Sequence, residues 1–173
     1  MGPDQTSPGA ETRAASDQGA RERMFLVVVD STAEMRNALR FACRRAQHTG
    51  GRVALLYIIE PADFQHWVAV QEKMREERRG EAEQVLQSLA SEVQLISGNV
   101  PVLYVREGEP RDAIMQVIKE EPRIAILVLG AGTQKKGPGP LVTSLAGKMS
   151  GKFPIPITVV PGSLTDEEID ALT

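Results

Sequence analysis

The chain is 173 residues long and 42% hydrophobic, with a formal net charge of −3, one cysteine and two histidines. That length suits a single domain with its own core. The slightly acidic balance excludes the basic face used to bind nucleic acid. The single cysteine excludes an internal disulfide, and the sparse His and Cys give no metal-ligand spacing.

No apolar run approaches the ~20 residues needed to span a bilayer, and the N-terminus lacks the apolar core of a signal peptide. The expectation is a cytoplasmic protein that engages neither membrane nor nucleic acid. Residues 1–22 are rich in Gly, Ala, Ser and charged side chains. Such a segment buries too little surface to offset its ordering entropy and reads as a disordered tail. One ordered domain is expected over 23–162, followed by a short acidic tail, at most a loose helix, over 163–173.

Met24 to Val29 (MFLVVV) is a continuous apolar run that stops at Asp30. Runs of this kind suit a strand buried on both faces of a parallel sheet. Ser31 and Glu34 have capping-box spacing for the next helix. Met35, Ala38, Leu39, Ala42, Cys43 and Ala46 share one face of it, and Gly50 and Gly51 stop it. Cys43 therefore reads as a small core residue. Val53 to Ile59 (VALLYII) is the second strand. A long helical region follows, from about Phe64 to Ile96. Its second half places Ala82, Val85, Leu86, Leu89, Val93 and Ile96 on one face. Its first half, QEKMREERRGE, reads as a solvated surface laced with ion pairs, with Phe64, Trp67 and Val68 packing it down.

Val100 to Val105 is the third strand. Pro110 is placed for the first position of a helix, whose apolar face is Ala113, Ile114, Val117 and Ile118 and which Pro122 ends. Ile124 to Leu129 is the fourth strand. The loop Gly130–Pro140 leads to a helix of about 141–152 that Thr143 and Ser144 open, and Ile157 to Val160 is the fifth strand. Five strands alternating with four helices imply an α/β fold, with an open parallel sheet covered on both faces. Ligands of such sheets sit beyond the carboxyl ends of strands, where the winding reverses. If strands one and four are neighbours, Asp30 and Gly130 share that crevice. A strand feeding a Gly/Pro/Lys loop and then a helix N-terminus is also the arrangement that holds anions.

Three features now stand in order: an apolar strand ending in Asp30, the turn Val105-Arg106-Glu107-Gly108-Glu109-Pro110 before a helix, and a strand running into Gly130, with a loop, Ser144 and the strand Pro-Ile-Thr-Val-Val beyond it. This order resembles the universal stress protein family over about Arg23 to Pro161. The resemblance implies a doubly wound five-stranded sheet of order 3-2-1-4-5, a homodimer and, in one branch, a site for ATP with Mg. That branch looks like G-x2-G-x9-G-[ST] after the fourth strand. In this chain the frame starts at Gly130, but Thr133 and Thr143 stand where glycines belong, and Ser144 matches the final hydroxyl. Glycine permits positive φ and a close approach of backbone to phosphate, whereas threonine is β-branched and poorly suited to either. Gly132, Gly137 and Gly139 offer another path for the loop, and Lys135 and Lys136 face either phosphate or solvent.

Carried over, the resemblance puts Asp30 near the adenine or ribose edge with Ser31 beside it. Ile58 lies against the base, the Gly130 backbone lies along the phosphates, and Ser144 donates to a phosphate oxygen. Read without it, Asp30 is a turn residue, Ile58 a strand core residue and Ser144 a helix cap. The expected function is that of a stress-response regulator with weak or absent ATP binding; the alternative is an ATP-binding nucleotide sensor with at most slow hydrolysis. No general base is placed near the loop, so no catalytic residue is assigned. The dimer is expected through Ile157, Thr158, Val159 and Val160, because an apolar edge strand is a liability unless paired. Lys148-Met149-Ser150-Gly151-Lys152 also resembles a synthetase loop, but no partner motif follows the first strand.

Overall fold

The computed structural model describes residues 22–61 and 68–173. The N-terminal tail before Glu22, and the packing expected of Phe64 and Trp67, lie outside the described residues. β1 (Met24–Val29), β2 (Arg52–Ile59), β3 (Val102–Glu107), β4 (Ile124–Ala131) and β5 (Ile157–Pro161) form one sheet of order β3-β2-β1-β4-β5. Every pairing is parallel. α1 (Ala33–Thr49), α2 (Val68–Ser97), α3 (Pro110–Glu120), a π-helix (Val142–Lys148) and α4 (Asp166–Leu172) complete the described elements.

β1 lies at the centre of the sheet, and all six of its residues are buried. Its alternation divides the core in two. Phe25, Val27 and Val29 pack with the apolar faces of α1 and α2. Met24, Leu26 and Val28 pack on the other side with Ile114, Val117 and Ile118 of α3 and Leu145 of the π-helix. All six residues assigned to the buried face of α1 are buried. Cys43 is fully enclosed, and that burial pushes its thiol up to about 12, so it stays a neutral core residue.

β4 carries a bulge. Met24 pairs with Ile124, but Phe25 pairs with Ile126, leaving Ala125 as the additional residue. The bulge breaks the two-residue alternation, so Ile124 and Leu127 share the α3 face although three positions apart. Beyond it the register is regular, with Val27 opposite Val128. The ends of β1 and β4 are thereby set side by side, which brings Asp30 and Gly130 to one crevice.

Four expectations need correction. The third strand begins at Val102 and extends to Glu107, not Val100 to Val105; Pro101 has no N–H to give the ladder, and Val100 is exposed. Val85 stands 40% exposed rather than on the buried face of α2, which uses Ala82, Leu86, Leu89 and Val93. The helix after the loop is shorter than 141–152 and is π-helical, its Met149 N–H reaching the Ser144 carbonyl at 3.1 Å. Gly147 inside it has low helical propensity, while the fully buried Leu145 pins it to the sheet.

The fourth correction concerns the C-terminal stretch, which is a docked helix rather than a loose one. Thr165 and Glu168 form a reciprocal capping box, and Ile169 is completely buried. Arg40 and Arg44 of α1 both fork onto the Asp170 carboxylate, at 2.6–3.0 Å. Asn37 donates to the Pro161 and Leu164 carbonyls on the approach to it. Hydrogen bonds from Arg40 and then Arg44 lower the Asp170 carboxyl to about 2. A lowered folded-state value adds stability above the ordinary 3.8 and loses it as pH falls toward 2. The α4 contact should thus be equally firm at pH 5 and pH 7. Asp170→Asn should release it at neutral pH, seen as faster amide exchange across 166–172; unchanged exchange would show that Ile169 alone holds the helix.

Candidate functional site

The candidate site lies at the carboxyl ends of β1 and β4, where the strand order reverses. Asp30 follows β1. Its Oδ1 accepts from the Thr32 backbone N–H at 2.8 Å and from the Thr32 hydroxyl at 2.6 Å. The Thr32 hydroxyl oxygen in turn accepts from the Met35 N–H at 3.3 Å. Thr32 is therefore the cap of α1, and the Ser31–Glu34 box expected from spacing does not form. Both Ser31 and Thr32 have cap chemistry, and the Asp30 turn selects the second. The one-residue shift frees Glu34 from capping and makes it the second residue of the helix.

Glu34 then lies against the loop that follows β4. A Cβ on Gly130 would stand 2.2 Å from the Glu34 carbonyl oxygen, and one on Gly132 would stand 2.9 Å from Glu34 Oε1. A Cβ on Gly162 would meet the Glu34 Cβ at 2.9 Å. Gly130 and Gly162 are needed for the approach of α1, independently of any ligand, whereas at Gly132 the nearest atom is the end of a flexible side chain.

The loop takes a path that spares both threonines. Its positive φ values fall at Gly137 (89°) and Gly139 (104°), and none falls on a non-glycine residue among the described residues. Three of its amides are turned inward. The Gly132 N–H donates to the Pro138 carbonyl at 3.1 Å, and the Gly137 N–H to the Gln134 carbonyl at 3.0 Å. The Thr143 N–H and hydroxyl both donate to the Gly139 carbonyl. Ser144 Oγ has only a 3.5 Å approach to the Leu141 carbonyl.

Two adjoining cavities result. The inner cleft, about 500 Å³, is lined by Asp30, Ile58, Gly130 and Ser144 among the expected residues. Val28, Met35, Leu129 and Leu141 supply apolar wall. The outer cavity, about 740 Å³, takes in Gly132, Thr143 and Ser144. Thr32, Glu34, Gly139, Pro140 and Ser144 line both. Ser31 is exposed and lines neither.

Sequence reasoning missed the charges of this site. The inner cleft has four carboxylate side chains, Asp30, Glu34, Glu60 and Glu109, and no Lys or Arg in its lining. Glu109 is also the cap of α3, accepting from the Asp112 N–H at 3.2 Å. Lys136 and Lys148 line only the outer cavity, and both are exposed. The signal for Glu60 and Glu109 was present, since each follows directly on a strand or turn at the carboxyl end of the sheet.

The model of the universal stress protein family matches residues 23–161. The chain belongs to the universal stress protein family. None of the curated proteins matches it. Among solved structures it is similar to a universal stress protein UspA from Lactobacillus plantarum, at 20% identity and a TM-score of 0.66, covering 81% of this chain and 98% of that one. It is also similar to a universal stress protein family protein from Arabidopsis thaliana with AMP bound, at 16% identity and a TM-score of 0.56, covering 84% and 94%. A third, the universal stress protein from Archaeoglobus fulgidus in complex with dAMP, has 19% identity and a TM-score of 0.51, covering 80% and 97%. At such identities the likeness is one of fold. The family match ends at Pro161, so the docked α4 of this universal stress protein lies beyond it.

Proposed function

We propose that this universal stress protein is a cytoplasmic regulator that works as a homodimer and binds ATP weakly or not at all. The observation that carries the reading is the state of the loop. An anion pocket needs free backbone N–H groups and the positive end of a helix. Here Gly132, Gly137 and Thr143 spend their N–H groups on carbonyls of the same loop. The N-terminus of α1 is already served by Asp30, Thr32 and the acidic Glu34 of its first turn. The inner cleft has the volume and apolar wall for an adenine-sized ligand, in keeping with relatives whose structures hold AMP and dAMP. It lacks a matching grip for a polyphosphate. Calorimetric titration with Mg-ATP should therefore give a Kd no tighter than millimolar, and a micromolar Kd would overturn the reading.

The alternative, an ATP-binding sensor, draws on one observation. Lys136 and Lys148 border the outer cavity, so a phosphate tail held by side chains rather than backbone would run there. Solvated lysines act as point charges and are screened by salt. Binding of that kind would weaken sharply as ionic strength rises.

The homodimer is assigned to β5. Among the described strands β5 pairs only with β4, and Val159 on it is 38% exposed. An unpaired apolar edge invites pairing with its twin. Val159→Arg should convert a dimer at micromolar concentration to a monomer in sedimentation, with little change in melting temperature of the monomer fold. A monomeric unsubstituted protein would remove the dimer from the account.

A further inference from the structure

We propose that Glu34 makes this cleft select by charge, so that it takes an uncharged adenine nucleoside in preference to the same nucleoside bearing phosphates. The inference rests on the reading that the cleft receives an adenine compound, and adds which one and why. Three observations carry it. First, Glu34 lines both cavities, so a tail leaving the inner cleft for Lys136 or Lys148 passes its carboxylate. Second, Glu34 is fixed at its backbone and Cβ, which keeps its carboxylate at the boundary between the two cavities. Its helix carbonyl and Cβ are packed against Gly130 and Gly162, and its Oε1 stands over Gly132. Third, no cation neutralises it among the described residues: the ion pairs run elsewhere, and Glu34 takes part in none of them.

The inner cleft suits the neutral ligand for the same reason. Carboxylates accept hydrogen bonds from hydroxyl and amino groups and repel phosphate oxygens. Ribose hydroxyls and an exocyclic amine are donors; Asp30, Glu60 and Glu109 are acceptors. The apolar wall of Ile58, Met35 and Leu129 offers a face for the base. Each added phosphate charge brings repulsion from Glu34 at short range, where screening is weak.

The test is calorimetric titration of the full chain and of Glu34→Gln with adenosine, AMP and ATP. The unsubstituted protein should bind adenosine at least about tenfold more tightly than ATP, with AMP between, since repulsion grows with ligand charge. Glu34→Gln keeps the shape and removes the charge. It should strengthen ATP binding about tenfold while adenosine affinity stays within about twofold. Glu76→Gln, which removes one exposed charge from α2 outside both cavities, should leave the order unchanged. If Glu34→Gln keeps the original order, Glu34 is not the selector. If neither protein binds adenosine, the nucleoside preference is wrong while weak ATP binding still stands. If the unsubstituted protein binds ATP as tightly as adenosine, with a micromolar Kd, the functional reading fails as well.

Discussion

Gly130→Ala should lower stability by about 3 kcal/mol, at the upper end of what overpacking costs. For a chain of this length that is a fall of roughly 6–12 °C in melting temperature. The reason is the partner that the new methyl would meet. It would stand 2.2 Å from the Glu34 carbonyl oxygen and 2.5 Å from its carbonyl carbon, and these are backbone atoms of the first turn of α1. Neither side can yield cheaply. β4 is paired on both edges, with β1 and with β5, and α1 is sealed onto the sheet by its six buried residues. Gly132→Ala provides the internal control. There the closest atom is Glu34 Oε1, at 2.9 Å, the end of a flexible side chain. Its cost should be under about 1 kcal/mol, as for ordinary surface changes. A thermal melt of both variants checks the pair; equal losses would mean that the contact between α1 and the loop is not what makes Gly130 necessary.

Leu127→Ala should cost about 2–5 kcal/mol, the range for leucine removed from a packed core, or roughly 4–20 °C. Leu127 is fully buried between the sheet and α3. It lies just beyond the bulge, in the part of β4 that aligns with Leu26 of the central strand. Shrinking it opens a cavity under the strand that presents Gly130 to the cleft, so ligand affinity should fall along with stability. Leu95→Ala, at a residue 86% exposed, should change the melting temperature by no more than about 1–2 °C, since exposed sites contribute little. Urea titration of the two variants distinguishes them, and a Leu127→Ala loss below 1 kcal/mol would contradict the packing described.

What was legible in the sequence is what local pattern dictates. MFLVVV reads as a strand enclosed on both faces because no residue in it tolerates water. The buried side of α1 follows from helical spacing alone, down to Cys43. The sheet order and the meeting of Asp30 with Gly130 came from strand–helix alternation joined to the family resemblance. The misses come from long-range partners or near-equal local choices. Ser31 and Thr32 both fit a helix cap, and only the Asp30 turn decides between them, which is why Glu34 was given to a capping box and its place in the cleft was overlooked. The segment around Thr165 and Glu168 carried a visible capping signature. Its anchoring depends on Arg40 and Arg44, more than a hundred residues earlier, with Ile169 as the only fully buried side chain of the helix. The loop has several glycines, and the positive φ values fall at Gly137 and Gly139, while Gly130 and Gly132 are the ones that pack against α1, a division their spacing does not reveal. The π-helix has no sequence signature beyond Gly147 in a short apolar turn.

The central claim is that this family member binds ATP weakly or not at all. The most direct measurement is the melting curve of the purified protein with and without millimolar Mg-ATP. A ligand at ~100 times its Kd adds about 2.7 kcal/mol, or roughly 5–10 °C for a chain of this size. The account predicts a shift below about 2 °C, as expected when the ligand barely reaches its Kd. A shift of the larger size that Ser144→Ala abolishes would contradict it and place the protein among the ATP binders, with Thr133 and Thr143 doing no harm.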